Sequence, residues 1–231
     1  MRSTSTWRKS PPDRPFIVLK TALSLDGHID DAASQRKVFS THEDANAVAA
    51  LRAEADAILV GAETIRRDDP RLAPPSGAAS GHPPLKVTLT RSGDLPTEAR
   101  FFTAGDGPKL VYADRAGAER LRAAAVSAEI VQFPSDADSE HFIVRDLFKR
   151  GVRKLLVEGG TQVITAFLER DLVDLIRLAV APELIADPSA PKLVLDELRL
   201  PTDRRFAVTD VSVLGAMTVI ELDRVSATEN Q

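Results

Sequence analysis

The chain has 231 residues, a net charge of −4 and no cysteine, and these facts exclude several classes of function. The length suits a single large domain. The acidic balance argues against nucleic-acid binding, which needs an excess of basic residues. Without cysteine there is no disulfide, thiol nucleophile or cysteine-ligated metal. No apolar run reaches the roughly 18 residues of a membrane helix, and no export signal is readable, so we expect a cytoplasmic protein.

The first third of the chain alternates strand and helix signals. Residues 1–14 are polar, and we expect them to form a loose arm. Thr41, followed three residues later by Asp44, resembles a capping box and predicts a helix start. The predicted elements are a strand at 16–20, a turn at 24–27, a helix from Thr41 to about 55, a strand at 57–60 and a helical turn at 64–69.

The middle of the chain continues this alternation after one unusual segment. Residues 74–84 (PPSGAASGHPP) cannot bury enough apolar surface to order themselves, so we predict a mobile surface loop. Ser139 is a typical cap for a following helix. The predicted elements are strands at 85–90, 109–113, 129–133 and 154–158, and helices at 115–126, at 139–150 and after Gly159-Gly160.

The last third predicts strands without helices between them. These strands lie at 175–181, 205–214 and 217–223, and Gly215-Ala216 predicts a tight hairpin turn between the last two. The whole pattern predicts an α/β fold: a mostly parallel mixed sheet with antiparallel C-terminal strands and helices on both faces. We expect one domain over 15–225 and a short tail at 226–231.

Ligands of open α/β sheets gather where strands end, and the chain has unusual residues at several such junctions. Gly159-Gly160 lets a ligand approach the backbone, and the start of the following helix favours a phosphate. A tight turn without a ligand is an alternative reading of the same two glycines. Glu158, which closes an apolar run, needs a partner if it is buried. Lys20, at the end of the first predicted strand, precedes the SLDG turn.

A second junction, at 61–70 (GAETIRRDDP), combines Gly61 and the Thr64 hydroxyl with an acidic pair beside arginines. Such clusters shift carboxylate pKa values in either direction, but a solvated salt-bridge loop has the same composition. Neither a P-loop nor a GxGxxG motif is present. Ser24 and His28 lack the nucleophile elbow that a hydrolase would need.

Three long segments together resemble the reductase domain of the bacterial riboflavin-biosynthesis deaminase/reductase family. They are RPFIVLKTALSLDGHID, LRAEADAILVGAETIRRDDPRL and LLVEGGTQVITAFLERDLVDLIRLAVAPELI. The resemblance runs from about residue 14 to 223, with the segments in the family's order. It implies a three-layer dihydrofolate-reductase-like fold. It also implies NADPH-dependent reduction of 5-amino-6-(5-phosphoribosylamino)uracil, with hydride transfer to the ring-opened ribosyl C1′.

The resemblance also implies roles for individual residues. Lys20 matches the family lysine close to the substrate, and Glu158 matches the glutamate that recognises the substrate. Asp68 is the candidate for transferring the proton. Positions implied to bind substrate are Arg52, Leu72 and, as a replacement for lost charge, Arg36. Positions implied to bind NADPH are Ala22, Gly61, Thr64, Asp68, Arg91, Ser92, Gly159, Gly160, Thr161, Gln162 and Val163, with Arg91 and Ser92 at the 2′-phosphate.

This sequence departs from the family pattern near the substrate. Arg36-Lys37-Val38 stands where the family usually has Ser-x-Trp, Pro74 and Pro75 replace a second arginine, and His28 replaces a basic residue. The family's fused zinc deaminase needs cysteines, so we expect another protein to supply any deamination. We predict no metal.

Three functions stay open at this point. The first is the riboflavin-pathway reductase, the second is reduction of dihydrofolate, a pterin or another small heterocycle, and the third is a non-catalytic cofactor-binding module. In resembling proteins the region of the late strands pairs subunits, and an open edge invites pairing. We therefore expect a homodimer that acts on a small phosphorylated aminopyrimidine and has no nucleic-acid or membrane partner.

Overall fold

The computed structural model describes residues 6–33, 36–72, 83–134, 138–200 and 205–225. Its strands are β1 (Phe16–Leu23), β2 (Ala57–Gly61), β3 (Leu85–Thr90), β4 (Lys109–Ala113), β5 (Glu129–Gln132), β6 (Lys154–Val157), β7 (Leu175–Val180), β8 (Arg205–Leu214) and β9 (Met217–Val225). Its helices are α1 (His42–Glu54), α2 (Ala62–Asp68), α3 (Arg100–Thr103), α4 (Arg115–Ala123), α5 (Ser139–Lys149) and α6 (Thr161–Glu169).

The chain forms two compact units. The first contains Met1–Phe16 and Ala49–Leu156, and the second contains Ile17–Val48 and Val157–Gln231. The chain passes from one unit to the other at the start of β1, within α1 and near the end of β6. The sequence led us to expect one domain over 15–225.

The first unit carries parallel strands in the order β5-β4-β3-β2-β6. The pairs β2–β3, β3–β4 and β4–β5 are parallel. Every residue of β2 is buried, as expected for an apolar strand inside a parallel sheet. Trp7 is also buried and lies edge-on to Phe16, with ring centroids 6.4 Å apart, so the predicted loose arm packs against the protein at this residue.

The second unit has the strand order β1-β7-β9-β8. β7 runs parallel to β1, whereas β9 runs antiparallel to both β7 and β8. The prediction of a largely parallel sheet with antiparallel C-terminal strands is therefore confirmed. Leu214 pairs with Met217 and Gly215 has a φ of 60°, which confirms the predicted tight hairpin turn.

Several local predictions are wrong. β1 extends to Leu23, so Lys20 lies inside the strand and not at its end. Asp138, not Ser139, is the N-cap of α5, and the Ser139 hydroxyl instead donates to Glu140 Oε2 over 3.1 Å. The short helix α3 was not predicted, and α4 ends at Ala123, three residues early. Most of the predicted loop at 74–84 lies outside the described residues.

No helix among the described residues has the length and the apolar character that crossing a membrane requires.

Candidate active site

Lys20 is a buried cation inside an apolar strand. It is 7% exposed, and its Nζ lies 3.4 Å from Oδ2 of Asp44, which is fully buried in the first turn of α1. Residues two apart on a strand share a face, so Ala22, a predicted cofactor-binding position, lies on the same face of β1 as Lys20. A buried charge requires compensation, and the Asp44 carboxylate provides it.

The strand register of the second unit extends this ion pair into a row of charges. Lys20 is the Cα partner of Arg177 on β7, and Arg177 is the partner of Glu221 on β9. The Arg177 guanidinium donates to Glu221 Oε1 over 2.6 Å, and both side chains are 12% exposed. Two cations on neighbouring strands are thus each matched by a carboxylate within one largely buried layer.

The SLDG turn after β1 is fixed by Asp26. Its carboxylate accepts hydrogen bonds from the Ser24 hydroxyl at 2.5 Å and the Ala186 amide at 2.7 Å. These hydrogen bonds, with that of Ser24 the largest contribution, hold the pKa of Asp26 well below its ordinary value. The turn is therefore tied to the long connection that follows β7. His28, which replaces the family's basic residue, is buried.

The segment from Glu158 to Val163 connects β6 to α6. Glu158 is half-buried directly after β6, and Gly159 has a φ of 107°, which favours glycine. Gly160 is the N-cap of α6 and makes no side-chain cap hydrogen bond, and the start of a helix is a position that favours an anion. The Thr161 hydroxyl donates to the Lys192 carbonyl over 2.5 Å. Gln162 is exposed and Val163 is buried.

Gly61, Thr64 and Asp68 lie together in the first unit. Gly61 ends β2 and is the N-cap of α2, Thr64 lies in the first turn, and Asp68 is the last residue of the helix. The chain changes direction after α2, where Asp69 and Leu72 both have positive φ values, 41° and 45°. Such values are uncommon for residues other than glycine. Leu72, the predicted substrate-lining residue, is buried.

The segment after β3 carries Arg91 and Ser92, and both are exposed. β2 and β3 are parallel neighbours in which Gly61 pairs with Leu89, so this segment and α2 both begin at the carboxyl ends of neighbouring strands. Arg66 of α2 donates to the Asp94 carbonyl over 2.6 Å and joins the two. A Cβ on Gly117 of α4 would collide with the Arg91 carbonyl, so the helix presses directly on this loop.

Two further predicted substrate residues, Arg36 and Arg52, flank or end α1. Arg36 is exposed in the irregular segment before α1. Its neighbour Lys37 is bound to Glu183 at 2.8 Å, and that hydrogen bond raises the pKa of Lys37. Arg52 is half-buried in the last turn of α1.

The predicted site residues thus divide between the two units. Within the first, Gly61, Thr64 and Asp68 lie beside Arg91 and Ser92, whereas within the second, Glu158 to Val163 form one segment and Lys20 lies on β1. Sequence reasoning missed Asp44 as more than a cap residue, and it missed Arg177, Glu221 and Gly117. Of these four residues, only Asp44 and Gly117 could have been singled out from the sequence, because both lie in the first turn of a predicted helix. The described residues contain no group of three histidines or carboxylates that could hold a metal ion.

The chain matches the family model described as the RibD C-terminal domain over residues 15–224. It is 33% identical over 187 residues to a 2,5-diamino-6-ribosylamino-4(3H)-pyrimidinone 5′-phosphate reductase of Archaeoglobus fulgidus, covering 77% of this chain and 85% of that protein. It is 31% identical to the riboflavin biosynthesis protein RibD of Chlamydia trachomatis, covering 87% of this chain. The match spans 54% of that longer relative.

Solved structures share this fold. RibD of Acinetobacter baumannii superimposes with a TM-score of 0.77 at 25% identity, over 93% of this chain and 59% of that one. A pyrimidine reductase-like protein of Corynebacterium diphtheriae gives a TM-score of 0.79 at 21% identity, over 92% and 93% of the two chains, and shows the fold alone. The expected fold class is confirmed.

Proposed function

Since this chain belongs to the RibD C-terminal domain family, we propose that it is an NADPH-dependent reductase of a phosphorylated ribosylaminopyrimidine in riboflavin synthesis. The match of the family model over residues 15–224 carries the proposal. Archaeoglobus and Methanothermobacter relatives that match over 85% and 94% of their own length are named as reductases of such a pyrimidine.

The residues of the chain fit a dinucleotide phosphate. Gly159 has no side chain that could block access to the backbone, and Gly160 starts α6 without a capping side chain. The segment from Gly159 to Val163 would therefore hold the diphosphate. Arg91 and Ser92 would hold the 2′-phosphate, because a guanidinium binds phosphate strongly and would favour NADPH over NADH. We assign Ala22, Gly61 and Thr64 to the remainder of the cofactor, which supplies a hydride when bound.

The reduction adds a hydride to C1′ of the ring-opened ribosyl chain and a proton to the attached nitrogen, so that a C=N bond becomes C–N. Lys20 would anchor the sugar through its ammonium, and Asp68 would supply the proton. Glu158 would accept hydrogen bonds from the pyrimidine amino groups. Arg52 and Leu72 would complete the substrate site, and Arg36 would offer charge to the substrate phosphate.

Two pyrimidines compete as the substrate. The Thermotoga maritima relative of known structure is named for 5-amino-6-(5-phosphoribosylamino)uracil, the deaminated compound. The Archaeoglobus and Aquifex relatives, of which 85% and 83% is matched, are named for the 2,5-diamino compound. That observation favours the diamino compound as a second candidate.

The decisive experiment follows NADPH absorbance with each pyrimidine and, separately, with dihydrofolate. Our proposal predicts oxidation of NADPH with at least one of the two pyrimidines, and the ratio of kcat/KM values identifies the substrate. Turnover of dihydrofolate alone would replace the proposal with a pterin reductase. NADPH binding in calorimetry without turnover of any of the three would indicate a binding module.

We also propose that the protein is a homodimer, paired through the face of the second unit that carries Val208, Val211 and Val213. These residues pair with Leu222, Ile220 and Thr218 on β9, and a register shift after Val208 keeps all three valines on one face. They are 59%, 58% and 71% exposed on β8, the last strand of the order.

Light scattering of the wild type and of Val211→Lys tests the dimer. We expect a dimer that this charge dissociates, whereas Leu195→Lys, at another exposed apolar residue, leaves it intact. A wild-type monomer at assay concentration would contradict the pairing. The cytoplasmic location and the absence of nucleic-acid and membrane partners stay predictions from composition.

A further inference from the structure

Asp44 is the partner of Lys20 but has no role in the proposed reaction. Its side chain is fully buried, and within the described residues its Oδ1 has no hydrogen-bond partner. A carboxylate that only stabilised a helix start would face solvent or have both oxygens satisfied. Its buried charge is instead compensated at Oδ2 by the Lys20 ammonium, 3.4 Å away.

The start of α1 is fixed so that Asp44 stays at this point. The Thr41 hydroxyl donates to the Leu214 carbonyl over 3.1 Å and accepts from the Asp44 amide over 3.3 Å. A Cβ on Gly215 would collide with the Glu43 carboxylate, so the β8–β9 turn is in close contact with the first turn of α1. The backbone of Asp44 is therefore held by the hairpin and not only by its own helix.

The neighbouring charge of Arg177 increases the electrostatic contribution that Asp44 makes at Lys20. Arg177 is the Cα partner of Lys20 on β7, and neighbouring strands lie about 4.8 Å apart. Arg177 is neutralised by Glu221, at 2.6 Å, so each cation of the row has its own carboxylate. Loss of Asp44 would remove a carboxylate from a buried layer that also holds a second cation, and this change disfavours the protonated form of Lys20.

We propose that Asp44 is a positioning residue, which acts through Lys20 by holding its ammonium charged and directed from the middle of β1. This inference rests on the proposed role of Lys20 at the substrate. It predicts that Asp44→Asn lowers kcat for pyrimidine reduction by about tenfold or more, while the affinity for NADPH changes little. The matched control is Asp171→Asn, which removes a carboxylate 2.7 Å from Arg224 in the same unit and should leave kcat unchanged.

A measurement without substrate separates this inference from the proposed function. NMR of protein labelled with ¹³C at lysine Cε follows the titration of each of the lysines of the chain. In Asp44→Asn the Lys20 signal should titrate about one pH unit lower than in the wild type, while Lys149 and Lys192 should not move. A purely structural loss would not single out Lys20.

If Asp44→Asn does not fold, Thr41→Val tests the same link, because it removes the hydroxyl that holds the Asp44 turn. It should lower kcat roughly threefold and shift the Lys20 titration in the same direction. An unchanged Lys20 titration in whichever variant folds would overturn the inference, even if the wild type reduces the pyrimidine. Absence of wild-type turnover with a shifted Lys20 titration would instead overturn the proposed function and keep the Lys20–Asp44 link.

Discussion

The two units present their candidate residues in opposite ways. In the first unit, Arg91 and Ser92 are exposed side chains on a loop whose backbone is fixed by Gly117 and Arg66. In the second, Lys20 and Asp44 are buried and fixed by each other. The first arrangement suits a charged group that arrives from water, whereas the second suits a charge that must stay at one point.

The two units should therefore be sensitive to different kinds of substitution. The loop of the first unit depends on backbone contacts, so a small steric change should alter ligand affinity. The buried row of the second unit depends on charge, so an isosteric change of charge should alter turnover.

Lys20→Met should have the largest effect. The loss of a cation at the substrate should lower kcat by about 10²-fold or more, with the dissociation constant for NADPH within about twofold of the wild type. Steady-state kinetics and calorimetry measure the two. Lys149→Met, on the exposed side of α5, is the control. A normal kcat in Lys20→Met would show that Lys20 has no role at the active site.

Gly117→Ala should weaken NADPH binding through the loop. In a helix this change ordinarily adds about 1 kcal/mol of stability, but here the new Cβ would collide with the Arg91 carbonyl. We expect a loss of stability and about a tenfold rise in the NADPH dissociation constant, measured by urea unfolding and calorimetry. The exposed neighbour Ala116→Val is the control. A more stable Gly117→Ala protein would contradict the close contact.

Arg91→Ala should reduce the discrimination between NADPH and NADH. A charge-assisted hydrogen bond contributes about 1.5–3 kcal/mol, so NADPH affinity should fall at least about tenfold while NADH affinity stays the same. Titration of both dinucleotides measures this. Arg115→Ala, an exposed arginine paired with Glu119, should change neither, and an equal loss for both dinucleotides would place Arg91 away from the 2′-phosphate.

Lys86 gives a smaller, pH-dependent effect in the first unit. Burial, together with the charges of Lys109, Arg71 and Arg100, lowers its pKa to about 8, and its ammonium donates to the Phe101 carbonyl. The unfolded chain binds this proton more tightly, so the free energy of unfolding should rise as pH increases from about 8 toward 10.5.

Lys86→Met removes this contribution, so the wild type should gain about 2 to 3 kcal/mol relative to the variant over that interval. Urea unfolding at a series of pH values measures the difference, and Lys149→Met provides the baseline. A constant difference between wild type and Lys86→Met would show that the pKa of Lys86 is not lowered.

Much of the fold could be predicted because its signals are local. The apolar run AILV becomes the buried β2, and Gly215-Ala216 makes the hairpin turn where the sequence places it. Gly61 and Gly159-Gly160 mark helix starts after strands, and Gly159 has the positive φ that only its residue type adopts readily. The resemblance supplied the order of these segments.

What the sequence could not predict depends on residues that are distant along the chain. Lys20, Arg177 and Glu221 form one row only because three strands align in a particular register. The register between strands that are far apart along the chain cannot be read from a single sequence. The contact of Gly117 with the loop after β3 has the same cause. Ser139 was misread because its hydroxyl has a nearer partner in Glu140.

The proposed function depends on hydride transfer from NADPH to the ribosyl carbon of the pyrimidine. The most direct test uses NADPH deuterated at both positions of nicotinamide C4 and locates the label in the product by NMR and mass spectrometry. We predict one deuterium at C1′ of the ribityl chain. Unchanged pyrimidine, or a reduced product without deuterium at C1′, would contradict the account.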